Sequence, residues 1–135
     1  MKPSGILETV LYAEDLDVAQ HFYGELLKLD QISREGNRHV FFLCGNQMLL
    51  IFNPRETEKR SSGKLPIPTH GAYGPGHVCF RASSDEIERW RQHLIDSAIE
   101  IEADFEWPPG GRSIYFRDPA GNSVEFAEPR IWKLE

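Results

Sequence analysis

Glu8, His77 and Glu125 are the side chains of this sequence best suited to hold a divalent metal ion, and each lies in a strand-like run whose two faces can be told apart. Side chains alternate along a strand, so parity alone separates one face from the other. In His77 to Ala82, Val78 and Phe80 form an apolar face, while His77, Cys79 and Arg81 point the other way. In the last such run, Val124 and Phe126 share a face, leaving Ser123, Glu125 and Ala127 opposite. In Gly5 to Ala13, Glu8 falls with Ile6, Val10 and Tyr12, an otherwise apolar set in which a charge needs a partner. Two carboxylates and one imidazole make a hard donor set that suits Mn²⁺, Fe²⁺, Zn²⁺ or Ni²⁺ better than a copper or thiolate site. Three protein ligands leave positions open for water or substrate, as a catalytic ion requires. The competing reading of the same residues is a metal-free polar cluster in which Arg81 and His77 neutralise Glu8 and Glu125.

Positioning these residues requires strands, and the pattern predicts them twice over. Gly5 to Ala13 is followed by Glu14-Asp15-Leu16-Asp17, where an aspartate can cap a helix marked by Val18, Phe22 and Leu26. Three strands follow, Leu29 to Arg34, His39 to Cys44 and Met48 to Phe52, with tight turns at Gly36-Asn37 and Gly45-Asn46. From Asn53 to Gly76 the chain is poor in apolar residues and rich in Pro, Gly, Ser and charge, a linker or mobile lid. The order then repeats: a strand from His77, a capping region at Ser83 to Glu86, and a helix with Ile87, Trp90, Leu94 and Ala98 inward. Strands at Ile99 to Phe105, Arg112 to Phe116 and Ser123 to Phe126 close it, the last two joined by the Asp118-Pro119-Ala120-Gly121-Asn122 turn. The expected architecture is α+β, two βαβββ modules related by a pseudo-twofold whose curved mixed sheets frame a cleft. Module one spans about 5–53, a linker 54–75, module two 76–128 and a C-terminal tail 129–135.

The other histidines read differently. His21, His39 and His93 are expected at or near the surface, and His70 as a solvated loop residue with closure over the cleft as its alternative. Phe22, Tyr23 and Trp90 read as core, and Glu58-Lys59-Arg60 as solvated surface.

With 40% hydrophobic and 27% charged residues over 135 positions, the chain can bury a core without staples. A net charge of −6 offers no basic stripe for nucleic acid. No apolar run is long enough for a bilayer, and Met1 to Gly5 leads into a strand without a signal-like h-region, so a cytoplasmic protein is expected. Cys44 and Cys79 stand singly and read as reduced thiols.

Several stretches resemble the glyoxalase/bleomycin-resistance/dioxygenase family, the vicinal-oxygen-chelate superfamily: Glu8-Thr9-Val10-Leu11-Tyr12-Ala13-Glu14-Asp15-Leu16 with Phe22-Tyr23 and Leu26-Leu27, then Gly76 to Phe80, then Tyr115 to Glu125. The resemblance implies one divalent metal held by Glu8, His77 and Glu125, with Glu8 where the family usually has His or Gln. It places Leu49 where four-ligand glyoxalases and epimerases carry a carboxylate or amide, and Leu49 cannot act as the base that shuttles a proton between adjacent carbons. The three-ligand members remain, extradiol-type dioxygenases and thiol transferases or hydrolases that inactivate an epoxide antibiotic, in which two substrate oxygens chelate the ion. Glu8 and Glu125 are then the catalytic candidates. Arg81 and Arg112 are candidates to bind an anionic group, with Tyr115, Trp107 and Tyr73 lining or covering the pocket. A homodimer is implied, its modules pairing within one chain or between chains.

Three function classes follow. One is a metal-dependent enzyme on a small oxygen-rich substrate, by lyase, dioxygenase or thiol-transfer chemistry. The second is a non-catalytic antibiotic-binding protein of the bleomycin-resistance type, against which the retained Glu8, His77 and Glu125 argue. The third is an accessory or immunity-type domain, for which the sequence offers no positive feature.

Overall fold

A computed structural model describes residues 1–135, and the chain divides into two compact units, Met1–Gly74 and Pro75–Glu135. In the first, β1 (Glu8–Tyr12), α1 (Leu16–Gln20, continuing as a π-helical turn His21–Leu26), β2 (Asp30–Glu35), β3 (His39–Cys44) and β4 (Gln47–Phe52) are followed by a short α2 (Pro54–Thr57). The second repeats the order with β5 (His77–Arg81), α3 (Ser84–Asp96), β6 (Ala103–Glu106), β7 (Arg112–Arg117) and β8 (Ser123–Ala127), then a 3-10 turn at Pro129–Trp132. Each unit forms a four-stranded sheet, β1-β4-β3-β2 and β5-β8-β7-β6, whose first strand runs parallel to its last and whose other pairs are antiparallel. Both units are therefore βαβββ, as the repeat of patterns predicted.

Local chemistry starts each helix where expected. Asp15 accepts from the Val18 amide at 3.1 Å, and Ser83 forms a capping box with Glu86, whose pKa is held down by the backbone and hydroxyl bonds of Ser83. The inner face of the first helix differs from the expected i, i+4 stripe. Leu16, Ala19, Phe22, Tyr23 and Leu27 are buried, while Val18 is exposed. The π-helical turn explains this, because its wider spacing lets both adjacent aromatics face the sheet. In the second unit Ile87 and Leu94 are fully buried and Trp90 stacks on Phe126 at 4.7 Å, but Ala98 lies beyond the helix with φ 58°. Residues 54–57, expected in the linker, form α2, started by Asn53 accepting from the Arg55 amide.

The register fixes which residues share a face. Glu8 pairs with Met48 and Val10 with Leu50, whereas Leu49 pairs with Thr9 and is 2% exposed under the helix. The position that shares the face of Glu8 is thus Met48 or Leu50, and the assignment of the family's fourth-ligand position to Leu49 is off by one residue. A one-residue slip moves a side chain to the other face of a sheet. The internal repeat agrees: His77 pairs with Ser123 and Cys79 with Glu125, which makes Leu50 the counterpart of Glu125 in the first unit. Neither Met48 nor Leu50 offers a carboxylate.

Leu49→Gln should therefore destabilise the protein by roughly 3 kcal/mol or more, since it buries an unpartnered amide under the helix, and Met48→Gln, half-buried on the face of Glu8, by only about 1 kcal/mol. Thermal melts followed by circular dichroism measure the difference, and equal losses would contradict the register.

Candidate metal centre

The second unit carries the chemistry. Glu125, on β8, is only 5% exposed, so its charge has to be met from within the fold. Ser113, one strand over on β7, donates to its Oε2 at 2.6 Å, and the Trp107 indole N–H donates to the Ser113 hydroxyl at 2.8 Å. His77, on β5, places Nε2 3.3 Å from Oε1 of Glu125 and Nδ1 3.1 Å from the Ser123 carbonyl. A carbonyl only accepts, so Nδ1 carries a proton, and Nε2 is the nitrogen that faces the carboxylate. Two electron-pair donors facing each other at that distance need a proton or a cation between them. Ligands bound at about 2.1 Å to one ion stand roughly 3.0–3.4 Å apart at tetrahedral or octahedral angles, so His77 and Glu125 fit two ligands of a divalent metal. The Ser123 and Ser113 bonds are the outer contacts that orient such ligands.

Two further groups press on the same carboxylate. Cys79 and Tyr115 are the register partners of Glu125 on either side. Desolvation, then the bond to and charge of Glu125, push the Tyr115 phenol up to about 12. Desolvation and Glu125 likewise push the Cys79 thiol up to about 12, which leaves it a protonated, non-nucleophilic group. Tyr115 stacks on Phe105 at 5.9 Å and lies 6.3 Å from the His77 ring.

The Asp118 turn holds β5 against β8. Asp118, buried, accepts from the amides of Ala120 and Asn122 at 2.9 Å each and from the Asn122 side chain. Asn122 in turn accepts from the Gly76 amide at 2.7 Å, and the Ser123 amide donates to the Gly76 carbonyl. Gly121 takes φ 91°, a conformation that favours glycine. The residue before His77 and the residues before Glu125 are thereby locked together.

The other expected residues divide. Trp107 and Tyr115 are within this constellation. Arg81 shares the face of His77 and donates to the Glu135 carbonyl. Arg112 does not join them: it points to the helix side, where it is bound by Asp104 and Glu88 at 2.8–2.9 Å, and those carboxylates hold its pKa far above the ordinary value. Its expected role in binding substrate is not supported by that placement, because parity puts it with Ile114 and Phe116. Ser113 was missed, although the same parity sets it beside Tyr115.

The first unit holds Glu8 and Tyr73. Glu8 is exposed, so solvent meets its charge, and it lines a cavity of about 1240 Å³ over the open face of the sheet. Tyr12, Phe41, Leu50 and Phe52 form the floor, and residues 59–70 a wall. His70, read from sequence as a solvated loop residue, lies instead 2.6 Å from the Tyr12 hydroxyl and edge-on to Phe52 at 4.7 Å. Tyr73 is exposed and donates to Glu58 at 2.8 Å, outside the cavity lining. No three His, Cys, Asp or Glu side chains of the chain are gathered into a metal-holding group. No helix is long and apolar enough to cross a membrane.

The fold is that of a known class. The model of the Glyoxalase/Bleomycin resistance protein/Dioxygenase superfamily matches residues 5–126, and the chain belongs to that superfamily. A crystal structure of lactoylglutathione lyase from Agrobacterium tumefaciens is 44% identical, with 99% of this chain and 100% of that chain covered and a TM-score of 0.95. A glyoxalase/bleomycin resistance protein/dioxygenase from Nocardioides (22% identity, 95% and 85% covered, TM-score 0.73) and a virulence protein from Salmonella typhimurium (24%, 95% and 98%, 0.71) share the fold. No curated protein sequence matches the chain.

His39 supplies a pH test of the first unit. It is 6% exposed, stacked on Phe41 at 3.9 Å, and desolvation followed by the Arg38 charge lowers its pKa, with Glu35 opposing. A base whose folded pKa is lowered stabilises the fold fully above its unfolded value, near 6.5, and that contribution is lost as pH falls through the folded pKa. Unfolding free energy should be flat above about pH 7 and decline below about 6.5, before the carboxylates titrate. In His39→Gln the decline over that window should shrink; urea titrations at stepped pH measure it.

Proposed function

We propose that the chain is a divalent-metal-dependent enzyme acting on a small oxygen-rich substrate, with lyase chemistry as the first activity to assay. The observation that carries this reading is the oriented pair of His77 and Glu125, whose facing donor atoms are spaced for one ion and backed by Ser123 and Ser113. Glu8 is the proposed third ligand, from the same chain or from a second copy in a homodimer. A bound Mn²⁺, Fe²⁺, Zn²⁺ or Ni²⁺ would supply Lewis acidity toward two neighbouring substrate oxygens and so stabilise an oxyanion or enolate.

The protein's own groups divide the remaining work. Glu125 is the proposed base for a proton on the carbon beside the chelated oxygens, and its bond to Ser113 through Oε2 fixes the orientation of the carboxylate. Tyr115, protonated throughout the neutral range, donates a hydrogen bond at this centre and excludes water beside Phe105. With Leu50 opposite Val10, no second carboxylate stands at the counterpart of Glu125, so a proton moved between adjacent carbons would leave and return through one base. The kinship to a protein named lactoylglutathione lyase supports testing that substrate first.

Stripped protein reloaded with each ion should hold close to one metal per chain by elemental mass spectrometry, and both His77→Ala and Glu125→Ala should lose it. With the preferred ion, Glu125→Gln should lower kcat by roughly 10²–10⁴ in a thioester-absorbance assay of lactoylglutathione. Mixing Glu8→Ala with His77→Ala protein should restore activity only if the centre is shared between chains. A wild type that takes up no metal but binds ligands would leave the non-catalytic binding protein as the better account.

A further inference from the structure

The first unit's cavity differs in kind from the face of the second, and the repeat makes the comparison position by position. Where β8 has Glu125, β4 has Leu50; where β7 has Ser113 and Tyr115, β3 has His39 and Phe41. The floor of the cavity is therefore apolar and aromatic, built from Val10, Phe41, Leu50 and Phe52. Such a floor binds a hydrocarbon or aryl surface and has no group that could react with it.

The two ends of the cavity are polar and unlike. Glu8 and Tyr12 lie four residues apart on β1, about 13 Å at the rise of an extended strand. At the Tyr12 end, Arg38 lies over the Phe52 ring at 5.4 Å to the centroid, and His70 meets the same ring edge-on at 4.7 Å. Phe52 thus carries a guanidinium and an imidazole together. His70 is held by its amide donating to the Thr57 carbonyl at 3.0 Å and by Tyr12 at its Nδ1. The Tyr12 hydroxyl and His70 Nδ1 stand 2.6 Å apart, a contact that fixes the position of the imidazole ring. A guanidinium, with Nη1 against His39 Nδ1 at 2.6 Å and its other nitrogens remaining, and an imidazole beside one ring can together recognise a carboxylate. The cavity's carboxylates do not neutralise it fully: Glu56 pairs with Lys59, Glu35 approaches His39 at 3.7 Å, and Glu8 is at the far end of the strand.

We propose that this cavity binds an elongated carboxylate, its acid group held by Arg38 and His70, its apolar or aryl body laid on Phe41, Leu50 and Phe52, and its opposite end directed to Glu8. This rests on the proposed function in one respect, that Glu8 marks the reacting end. It narrows the substrate class to molecules longer than a three-carbon fragment, with an acid group about 10 Å from the oxygens that react. His70 and Arg38 are binding residues in this account and take no part in the chemistry.

The test is direct binding to metal-free protein in chelator, so that failure of metal uptake does not confound it. 3-Phenylpropionate and its neutral amide are titrated by ¹H–¹⁵N NMR. The wild type should bind the acid about tenfold more tightly than the amide, with shifts confined to the first unit and to the His70 ring nitrogens. Arg38→Gln should erase the preference, and His70→Ala should weaken the acid about tenfold. Amide spectra of each variant establish that it is folded, and the wild-type ring-nitrogen shifts stand independently of any variant. No binding of the acid, equal affinity for acid and amide, or a preference that survives Arg38→Gln would overturn the proposal. Loss of metal binding with the acid preference intact would overturn only the metal-dependent reading.

Discussion

A carboxylate that is 5% exposed has to be given hydrogen-bond partners from within the fold, and in this protein Glu125 is that group. Its hydroxyl donor, Ser113, is itself fixed by Trp107, and its imidazole neighbour, His77, is fixed by the Ser123 carbonyl. These partners come from three strands and one loop, so the sheet order β5-β8-β7 is a precondition for the site. The Asp118 and Asn122 side chains then secure the first and last of those strands at the end where His77 and Glu125 begin their pairing. Fold and site are thus held by one connected set of hydrogen bonds, and no buried side-chain nitrogen or oxygen is left without a partner.

The paired registers show one plan carrying two different sets of side chains. Both units are built on the same βαβββ plan, with an amphipathic helix covering one face of a four-stranded sheet. On the face away from the helix the second unit carries hydrogen-bonding and ionisable groups, whereas the first has aromatic and aliphatic ones, with Glu8 at its start. One face can hold a charge in place and the other can hold an apolar surface. The His39 and Phe41 stack and the Tyr12 and His70 contact give the apolar face two polar points that the repeat does not copy.

Much of this was legible in the sequence, for identifiable reasons. The alternation in His77 to Arg81 and Ser123 to Ala127 is unbroken, so the facing of His77 and Glu125 followed from parity, and β3 was bounded at His39 and Cys44 by glycine-containing turns. The first helix was less legible because a π-helical turn breaks the 3.6-residue period, which turned Val18 outward and both Phe22 and Tyr23 inward. Leu49 was misassigned because β4 is apolar on both faces, so parity has no contrast to work with, and only the pairing of Glu8 with Met48 settles it. Arg112 and His70 depend on partners far along the chain, Glu88, Asp104 and Tyr12, which no local pattern reveals.

The central claim is that His77 and Glu125 are two ligands of one divalent ion, already oriented by Ser123 and Ser113. Anomalous X-ray diffraction from crystals soaked in Mn²⁺, with data collected on both sides of the manganese edge, addresses it without reference to any substrate. The account predicts a single strong anomalous peak about 2.1 Å from Nε2 of His77 and from Oε1 of Glu125, with a Glu8 carboxylate completing the protein ligands. Manganese bound elsewhere, or His77 and Glu125 in direct hydrogen-bonded contact with no peak between them in soaked crystals, would contradict it.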